Sequence, residues 1–327
     1  MELSVFSSFS PAEEARWRDF LAAEGLFPAA VPAMVFSLFE GKDLVATLSL
    51  SGDLLLYFAV RKDHRGEDLI APLLTAAKKE AFSNGVRRLY LVTKPENRRL
   101  FSGLLFSPVA ESKTALLMES PGGGLSELLE KAPPPNGAVG AAILNADPFT
   151  LGHRALVEKA AALCDTLYLF VLSEEQSRFS AADRLEMVRR GVADLPGVFV
   201  LPTGRYLVSA ATFPSYFLKN RADAPKAAAE LDIAVFCQKI APALGITRRF
   251  LGSEPADRTT AAYNTALLEA LPKAGVSVTV FERETKNGVP ISAKTVRALL
   301  DEGNFAAAAA LLPESTVNYL KTRSLFD

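Results

Sequence analysis

The sequence has 327 residues, 49% of them hydrophobic, and a formal net charge of −1, a composition typical of a globular protein with room for two domains. The balanced charge argues against a nucleic-acid or anionic-membrane partner, and apolar runs shorter than the ~20 residues of a transmembrane helix predict no membrane span. Two cysteines, Cys164 and Cys237, exclude a disulfide framework, and together with the absence of a signal-peptide pattern they favour a cytoplasmic location.

The first 132 residues predict an α+β domain. A helix over residues 11–25 is followed by three strands separated by glycine-containing turns, then by a helix over about residues 68–83 and further strands. The run at residues 120–137 contains three consecutive glycines and three consecutive prolines, which continue neither a helix nor a strand. We therefore place a domain junction at about residue 135.

Residues 137–327 alternate between strands and helices. Five short apolar strands are predicted, with the sequences VGAAILN, TLYLFVLS, VFVLP, RRFLG and VSVTVFE. This alternation predicts an open parallel sheet with helices on both faces. Ligands of such sheets bind at the carboxyl ends of the strands, near the point where the strand order reverses. The loops after these strands are therefore the expected places for chemistry.

The loop after the first of these strands is DPFTLGH, residues 147–153, and it leads directly into a helix. The free N–H groups and the positive dipole end of a helix attract phosphate, and Gly152 lets the backbone approach a triphosphate. Thr150 contributes a hydroxyl, and His153 points a ring nitrogen at the same place. These groups suit nucleotidyl transfer, in which the protein positions the reactants and stabilises charge on the α-phosphate. The alternative is a helix capped by Thr150 beside an exposed histidine.

A second segment, GVPISAKTVR at residues 288–297, follows the last strand. Ser292 is the predicted N-cap of a helix that begins at Ala293. Arg297 would lie on an early turn, where its guanidinium fork suits phosphate, and Lys294 adds charge nearby. The alternative is an ordinary capped helix with a solvated arginine. We predict that the two segments converge on a single bound triphosphate.

These motifs resemble those of a known superfamily. A strand followed by TxGH and a helix, with ISxxxxR near the end, resembles the nucleotidyltransferase superfamily over about residues 138–300. Thr150 stands where members often have histidine, and Lys294 where they often have serine or threonine. Three longer segments resemble the citrate lyase ligase family more specifically: ILNADPFTLGHRALVEKAA, ATFPSYFLK (211–219) and FLGSEPADRTTAAYN (250–264).

The resemblance implies a fold and an activity. It implies an N-terminal GNAT-like α+β domain, residues 1–132, and a Rossmann-like nucleotidyltransferase domain, residues 137–327, with a parallel sheet and a helical C-terminus. Members of this family use ATP, which Mg²⁺ accompanies, and acetate to acetylate the thiol of a CoA-like prosthetic group. That group belongs to the acyl-carrier subunit of citrate lyase, and AMP and diphosphate are released. The implied enzyme is an acid–thiol ligase that forms an acetyl-adenylate.

The resemblance also implies roles for single residues. Thr150, Gly152 and His153 would hold the α- and β-phosphates, and Ser292 and Arg297 the β- and γ-phosphates. Of these, His153, Thr150 and Arg297 are the catalytic candidates. The other candidates for nucleotide binding belong to the two segments or lie at the end of the fourth strand and after it: Asp147, Phe149, Gly252, Ser253, Glu254, Arg258 and Lys294.

The first half departs from the GNAT pattern where that family binds a CoA pyrophosphate. In place of RxxGxG or RxxGxA the chain has RKDHRGED at residues 61–68, and Asp63 and Asp68 would repel a pyrophosphate unless they were paired. We hypothesise that this half is not an active acetyltransferase and instead docks the carrier domain or its CoA-like arm. Arg98 and Arg99 are candidates for contact with an acidic carrier surface, or else form a solvated basic face.

Two other functions share some of these features. A small-molecule adenylyltransferase acting on phosphopantetheine or nicotinamide mononucleotide would have the phosphate motifs, but it does not explain ATFPSYFLK or the N-terminal half. A non-catalytic scaffold could keep a degenerate nucleotide site and bind a carrier protein. Diphosphate release that depends on a phosphomonoester would indicate the adenylyltransferase. ATP binding without turnover would indicate the scaffold.

Overall fold

A computed structural model describes most of the chain: residues 1–173, 177–207, 213–218, 220–253 and 258–323, the side chains of residues 221, 258 and 259 excepted. The chain divides into two compact units. Met1–Leu125 and Val208–Ala234 form the first unit, and Ser126–Leu207 and Val235–Asp327 form the second. A segment from the second half of the sequence therefore belongs to the first unit. The domain limits at residues 132 and 137 remain a prediction.

The described strands and helices are as follows. The strands are β1 Glu2–Phe6, β2 Met34–Glu40, β3 Asp43–Ser51, β4 Leu54–Val60, β5 Tyr90–Thr93, β6 Ser107–Glu111, β7 Leu116–Glu119, β8 Val139–Leu144, β9 Thr166–Val171, β10 Val198–Pro202, β11 Arg248–Gly252, β12 Ser277–Phe281, β13 Thr285–Lys286 and β14 Val289–Pro290. The α-helices are α1 Pro11–Ala23, α2 Ile70–Ser83, α3 Arg98–Gly103, α4 Gly124–Glu130, α5 Leu151–Ala161, α6 Ala181–Gly191, α7 Ala224–Val235, α8 Ala241–Leu244, α9 Arg258–Ala270, α10 Ala293–Asp301, α11 Phe305–Ala309 and α12 Glu314–Thr322. None of the helices in these ranges is long and apolar enough to cross a membrane.

The first unit is built on a mixed sheet with the strand order β1-β2-β3-β4-β5-β7-β6. β1 to β4 form an antiparallel meander, and β4 then pairs in parallel with β5 at only two positions, Leu54 and Leu55. A bulge in β4 places Tyr57 at a φ of 54°, in the left-handed region that non-glycine residues rarely adopt. One face of the sheet packs against α2, with Leu73 and Ala77 fully buried.

The second unit contains a five-stranded parallel sheet with the order β10-β9-β8-β11-β12. β8, the first strand in the sequence, lies at the centre, and the order reverses between β8 and β11. The loops after these two strands therefore open at the switch point, where ligands of such sheets bind. The parallel sheet, the α+β first unit and the helices α10 to α12 at the C-terminal end confirm the predicted fold class.

Three features were not predicted from the sequence, the first of which is α4, Gly124–Glu130, within the run at residues 120–137 that was expected to continue neither a helix nor a strand. β1 is an edge strand with mostly exposed side chains, so the sequence lacks the apolar alternation of a half-buried strand. β13 and β14 are two-residue strands joined by Asn287 and Gly288, both at positive φ, which form a tight hairpin just before the ISxxxxR segment.

The segment around Tyr216 accounts for the crossing of the chain into the first unit. Phe213, Tyr216 and Phe217 are all buried and lie around a 3₁₀ turn. The Tyr216 ring packs 4.5 Å from the ring of Tyr57, and the backbone of Tyr57 hydrogen-bonds to the Tyr216 hydroxyl. The N–H of Phe27 donates to the Tyr216 carbonyl at 3.0 Å. Tyr216 thus covers the β4 bulge.

We expect Tyr216→Ala to destabilise the first unit by about 3–5 kcal/mol, because it leaves a cavity against Tyr57, and Tyr216→Phe by about 1 kcal/mol. Urea unfolding followed by fluorescence measures this, since Trp17 is the chain's single tryptophan and its ring lies 5.4 Å from that of Tyr57. Phe82→Ala is the control, because Phe82 is 73% exposed and should change stability by less than about 0.5 kcal/mol. An unchanged midpoint for Tyr216→Ala would contradict this packing role.

Candidate active site

The loop after β8 ends in a helix cap that includes His153. Thr150 is the N-cap residue of α5, and its hydroxyl oxygen accepts a hydrogen bond from the N–H of His153 at 3.3 Å. In return, Nδ1 of His153 accepts a hydrogen bond from the N–H of Thr150 at 3.0 Å. This is a capping box in which histidine takes the place of the usual glutamate. The TxGH motif therefore fixes the orientation of the imidazole ring.

The cap also decides which ring nitrogen of His153 carries the proton. A backbone N–H can only donate, so Nδ1 is an acceptor and the proton of the neutral ring lies on Nε2. Burial and, to a smaller extent, the positive charge of Arg283 together lower the pKa of His153 to about 4. At neutral pH His153 is therefore an uncharged N–H donor, which is the form that hydrogen-bonds to phosphate oxygen without a proton transfer.

Phe149 supports this imidazole from inside the core. Its side chain is fully buried, and its ring stacks on the His153 ring at an interplanar angle of 14° and a centroid distance of 5.8 Å. A Cβ atom on Gly191 of α6 would lie only 2.4 Å from the Phe149 ring, so glycine is required there. Phe149 was predicted to bind nucleotide. Its side chain packs against His153 and Gly191, and nucleotide binding by Phe149 stays a prediction.

Arg297 joins the two predicted motifs. It lies on α10, and its Nη1 donates to the carbonyl oxygen of Asp147 and lies 3.3 Å from Oδ2 of the same residue. The Asp147 carboxylate is buried and also accepts a hydrogen bond from the N–H of Phe179 at 3.0 Å. The guanidinium of Arg297 is thus held against the loop that carries Thr150 and His153.

Gly152 brings the same two segments together through packing. A Cβ atom at Gly152 would lie 3.1 Å from the carbonyl oxygen of Ile291, the residue before the predicted cap Ser292. Such a contact is closer than side chains normally tolerate, so glycine permits the approach of the two backbones. The structure therefore gives Gly152 a packing partner in the second segment, in addition to the predicted approach to a triphosphate. The two motifs meet within one unit.

The cap of α10 follows the prediction from the sequence. The Ser292 hydroxyl accepts a hydrogen bond from the N–H of Thr295 at 3.0 Å and lies 2.8 Å from the Thr295 hydroxyl. Lys294 is exposed on the first turn of this helix. The hydroxyls of Ser292 and of the buried Thr150 are therefore both engaged in helix caps.

The loop after β11 meets the end of β12 at the same edge of the sheet. The N–H of Ser253 donates to the carbonyl of Phe281 at 2.8 Å, and the carbonyl of Gly252 accepts from Asn264 at 3.1 Å. Two further predicted contacts, those of Glu254 and of the Arg258 side chain, lie outside the part of the chain that the structure describes.

Arg283 is a site residue that the sequence did not single out. Its N–H donates to Oγ of Ser253 at 3.3 Å, its Nε donates to the carbonyl of Ser253 at 3.0 Å, and its charge acts on His153. The available signal was a basic residue two positions after the last parallel strand. That signal is weak, because Glu282 and Glu284 flank it with the opposite charge.

A buried arginine in the second unit also escaped the sequence analysis. Arg184 is fully buried on α6, and its Nη1 donates to the carbonyl and side-chain oxygens of Asn145, at 2.9 and 2.6 Å. Asn145 directly follows β8, so Arg184 holds the start of the loop that ends at His153. Among the described residues, no group of three or more His, Cys, Asp or Glu side chains could hold a metal ion.

Comparison with known proteins places these motifs in one family. The family model of the citrate lyase ligase C-terminal domain matches residues 139–320. A citrate (pro-3S)-lyase ligase of Klebsiella pneumoniae is 39% identical over 285 residues, which cover 85% of this chain and 83% of that protein. The corresponding ligase of Escherichia coli K12 is 37% identical over 290 residues, covering 85% and 82%.

The chain is also similar to a solved structure over part of its length. An acyl-CoA N-acyltransferase from Pseudomonas aeruginosa is 13% identical, with a TM-score of 0.32, and the match covers 37% of this chain and 99% of that one.

The tautomer and pKa of His153 can be measured directly. We expect ¹⁵N NMR to show a neutral ring protonated on Nε2 at pH 7 and a pKa near 4, with the signals assigned by a His64→Gln variant, since the chain has only two histidines. The folded pKa lies below the ~6.5 of an unfolded histidine. The unfolded state therefore takes up this proton first, and His153 lowers the free energy of unfolding as the pH falls from about 6.5 to about 4. A pKa at or above 6.5 would refute this environment.

The contact between the two motifs can be tested with a double-mutant cycle of Asp147→Asn and Arg297→Met. Because the two residues form an ion pair that is buried on the aspartate side, we expect a coupling of about 1–3 kcal/mol in the free energy of unfolding. Unfolding is monitored by circular dichroism. Asp147→Asn combined with Arg190→Met is the control, because Arg190 pairs with Glu186 and should be additive within about 0.5 kcal/mol. Additivity of the first pair would show that the motifs do not interact.

Proposed function

The chain belongs to the citrate lyase ligase family, and from this premise we propose that it uses ATP to acetylate a thiol on the acyl-carrier subunit of citrate lyase. The thiol is that of the CoA-like prosthetic group of the carrier, and the products are the acetyl thioester, AMP and diphosphate. The observation that carries the proposal is the convergence of the 147–153 and 291–297 segments beside an imidazole fixed as an N–H donor.

The proposed reaction has two steps. A carboxylate oxygen of acetate attacks the α-phosphorus of ATP, the bond to the bridging oxygen breaks, and diphosphate leaves with that electron pair. The carrier thiolate then attacks the acetyl carbonyl carbon, the bond between that carbon and the AMP oxygen breaks, and the thiol proton goes to solvent. Acetate is ionised at neutral pH, so the first step needs no general base.

His153 would serve this chemistry as a hydrogen-bond donor. Its Nε2–H would hold an oxygen of the α- or β-phosphate, and its contribution is greatest where negative charge grows in the transition state. The N-terminus of α5 adds backbone N–H groups and the positive end of the helix dipole. Arg297 and Ser292 would hold the β- and γ-phosphates, with Arg297 positioned by Asp147.

We assign the other candidate residues supporting roles in the same site. Thr150 orients His153, Gly152 and Phe149 shape the loop, and Gly252 and Ser253 meet the nucleoside at the end of β11. We assign Glu254, Arg258 and Lys294 to nucleotide contacts on the family resemblance. The described residues offer no carboxylate cluster for a metal, so Mg²⁺ would arrive with the nucleotide, bound by phosphate oxygens and water.

We propose that residues 1–132 form a GNAT-like domain that docks the carrier or its CoA-like arm without acetyltransferase activity. The two arginines of the 61–68 loop are paired within the unit: Arg61 with Asp63 at 2.8 Å, and Arg65 with Glu24. A loop whose positive charge is neutralised in this way binds a pyrophosphate poorly. Arg98 is paired with Glu111, whereas Arg99 is exposed and remains the candidate for a carrier contact. We assign the enzyme to the cytoplasm.

The proposal is tested by ATP–diphosphate exchange across a panel of short carboxylates. We expect acetate-dependent exchange in the wild type and a loss of at least about 10²-fold in His153→Ala, because one donor to the developing charge is removed. His64→Ala is the matched control, since it changes the chain's other histidine and should leave exchange unchanged.

Three outcomes would contradict the proposal. Near-normal exchange by folded His153→Ala would remove the assigned role of the imidazole. Diphosphate release that requires a phosphomonoester and not a carboxylate would instead identify a small-molecule adenylyltransferase, and ATP binding without any exchange would identify a non-catalytic scaffold.

A further inference from the structure

Arg283 is held rigidly at the edge of the sheet where the candidate site lies. It follows β12 by two residues and is half-buried. Its N–H and Nε both donate to Ser253, at 3.3 and 3.0 Å, and the N–H of Ser253 donates back to Phe281 at 2.8 Å. A side chain that is tied to the backbone in this way loses little conformational freedom when it meets a ligand.

Arg283 lies between the segments that build the site. On one side it contacts the loop after β11, through Ser253. On the other side, the carbonyl of the next residue, Glu284, accepts a hydrogen bond from the N–H of Ile291 at 2.9 Å. Ile291 is the residue that lies against Gly152. Arg283 therefore contacts the loop after β11 directly, and its neighbour Glu284 connects it to the two segments that meet at Ile291 and Gly152.

The charge of Arg283 reaches the imidazole of the first segment. It is the cation whose positive charge lowers the pKa of His153. Arg297, the other arginine of the site, has part of its charge balanced by the buried Asp147 carboxylate at 3.3 Å. A triphosphate brings several negative charges, so a second cation near His153 would stabilise it substantially.

From this placement we propose that Arg283 is a further binding residue of the site and contacts the phosphates of the bound nucleotide. The inference rests on the proposed function, since it requires that a nucleoside triphosphate binds here. The competing explanation is that Arg283 only joins the ends of β11 and β12 through Ser253.

Binding of a non-hydrolysable ATP analogue to the full chain, measured by calorimetry, tests the inference. We expect Arg283→Met to weaken binding roughly 10- to 100-fold, because a charge-assisted phosphate contact is lost. Arg283→Lys keeps the charge but cannot reproduce the Nε contact with Ser253, and it should bind within about 5-fold of the wild type. The matched control is Arg248→Met. It removes the same charge from the opposite, amino end of β11, where Arg248 donates to the carbonyl of Leu163, and should not change the affinity.

NMR titration of His153 supplies a readout that does not depend on nucleotide. Removing the charge in Arg283→Met should raise the pKa of His153 from about 4, whereas Arg283→Lys and Arg248→Met should leave it unchanged. A purely structural role predicts instead that Arg283→Lys is as damaging as Arg283→Met. If Arg283→Met does not fold, the affinity of Arg283→Lys for the ATP analogue tests the inference. A loss of affinity of more than about 10-fold contradicts it.

The outcomes separate the inference from the proposed function. A wild type that binds the analogue, together with a folded Arg283→Met that binds it equally well, overturns the role of Arg283 and leaves the proposed function standing. A wild type that binds no analogue overturns both.

Discussion

The ion pair between Arg297 and Asp147 connects the two ends of the second unit's α/β fold. Asp147 belongs to the loop after the first strand of this sheet, and Arg297 to the helix after the last one. Their contact is possible because the strands are parallel, so that all their carboxyl ends lie at one edge. Because the Asp147 carboxylate is buried, losing its partner would leave a costly unpaired charge. The pair therefore holds the loop and the helix in one arrangement, the one in which the two motifs of the site meet.

Around this pair, most residues of the first motif build the loop, and His153 is the one proposed to contact the nucleotide. Thr150, Phe149 and Gly152 are engaged inside the protein, as cap, as buried support and as the point of close backbone approach. His153 is thereby presented as a neutral donor with its Nε2–H directed away from the cap. A site made this rigid has little reorganisation to undergo when charge develops, which is the condition for electrostatic stabilisation of a transition state.

Features set by neighbouring residues could be predicted from the sequence, whereas contacts between distant residues could not. The caps at Thr150 and Ser292 and the alternation of strands and helices rest on local physics, which short segments report well. The capping bond from His153 to Thr150 could also have been read from the spacing of three residues, although histidine is unusual there. The contacts of Asp147 with Arg297 and of Arg283 with Ser253 join residues far apart in the chain, and no local pattern encodes them. The passage of residues 208–234 into the first unit was missed for the same reason.

The central claim is that a single triphosphate lies between the two motifs of the second unit. An experimental structure of the protein with a non-hydrolysable ATP analogue tests it most directly. We expect a phosphate oxygen within about 2.7–3.2 Å of Nε2 of His153, with the Arg297–Asp147 pair still in place beside it. A nucleotide bound away from both residues, in a structure where the pair is intact, would contradict the claim.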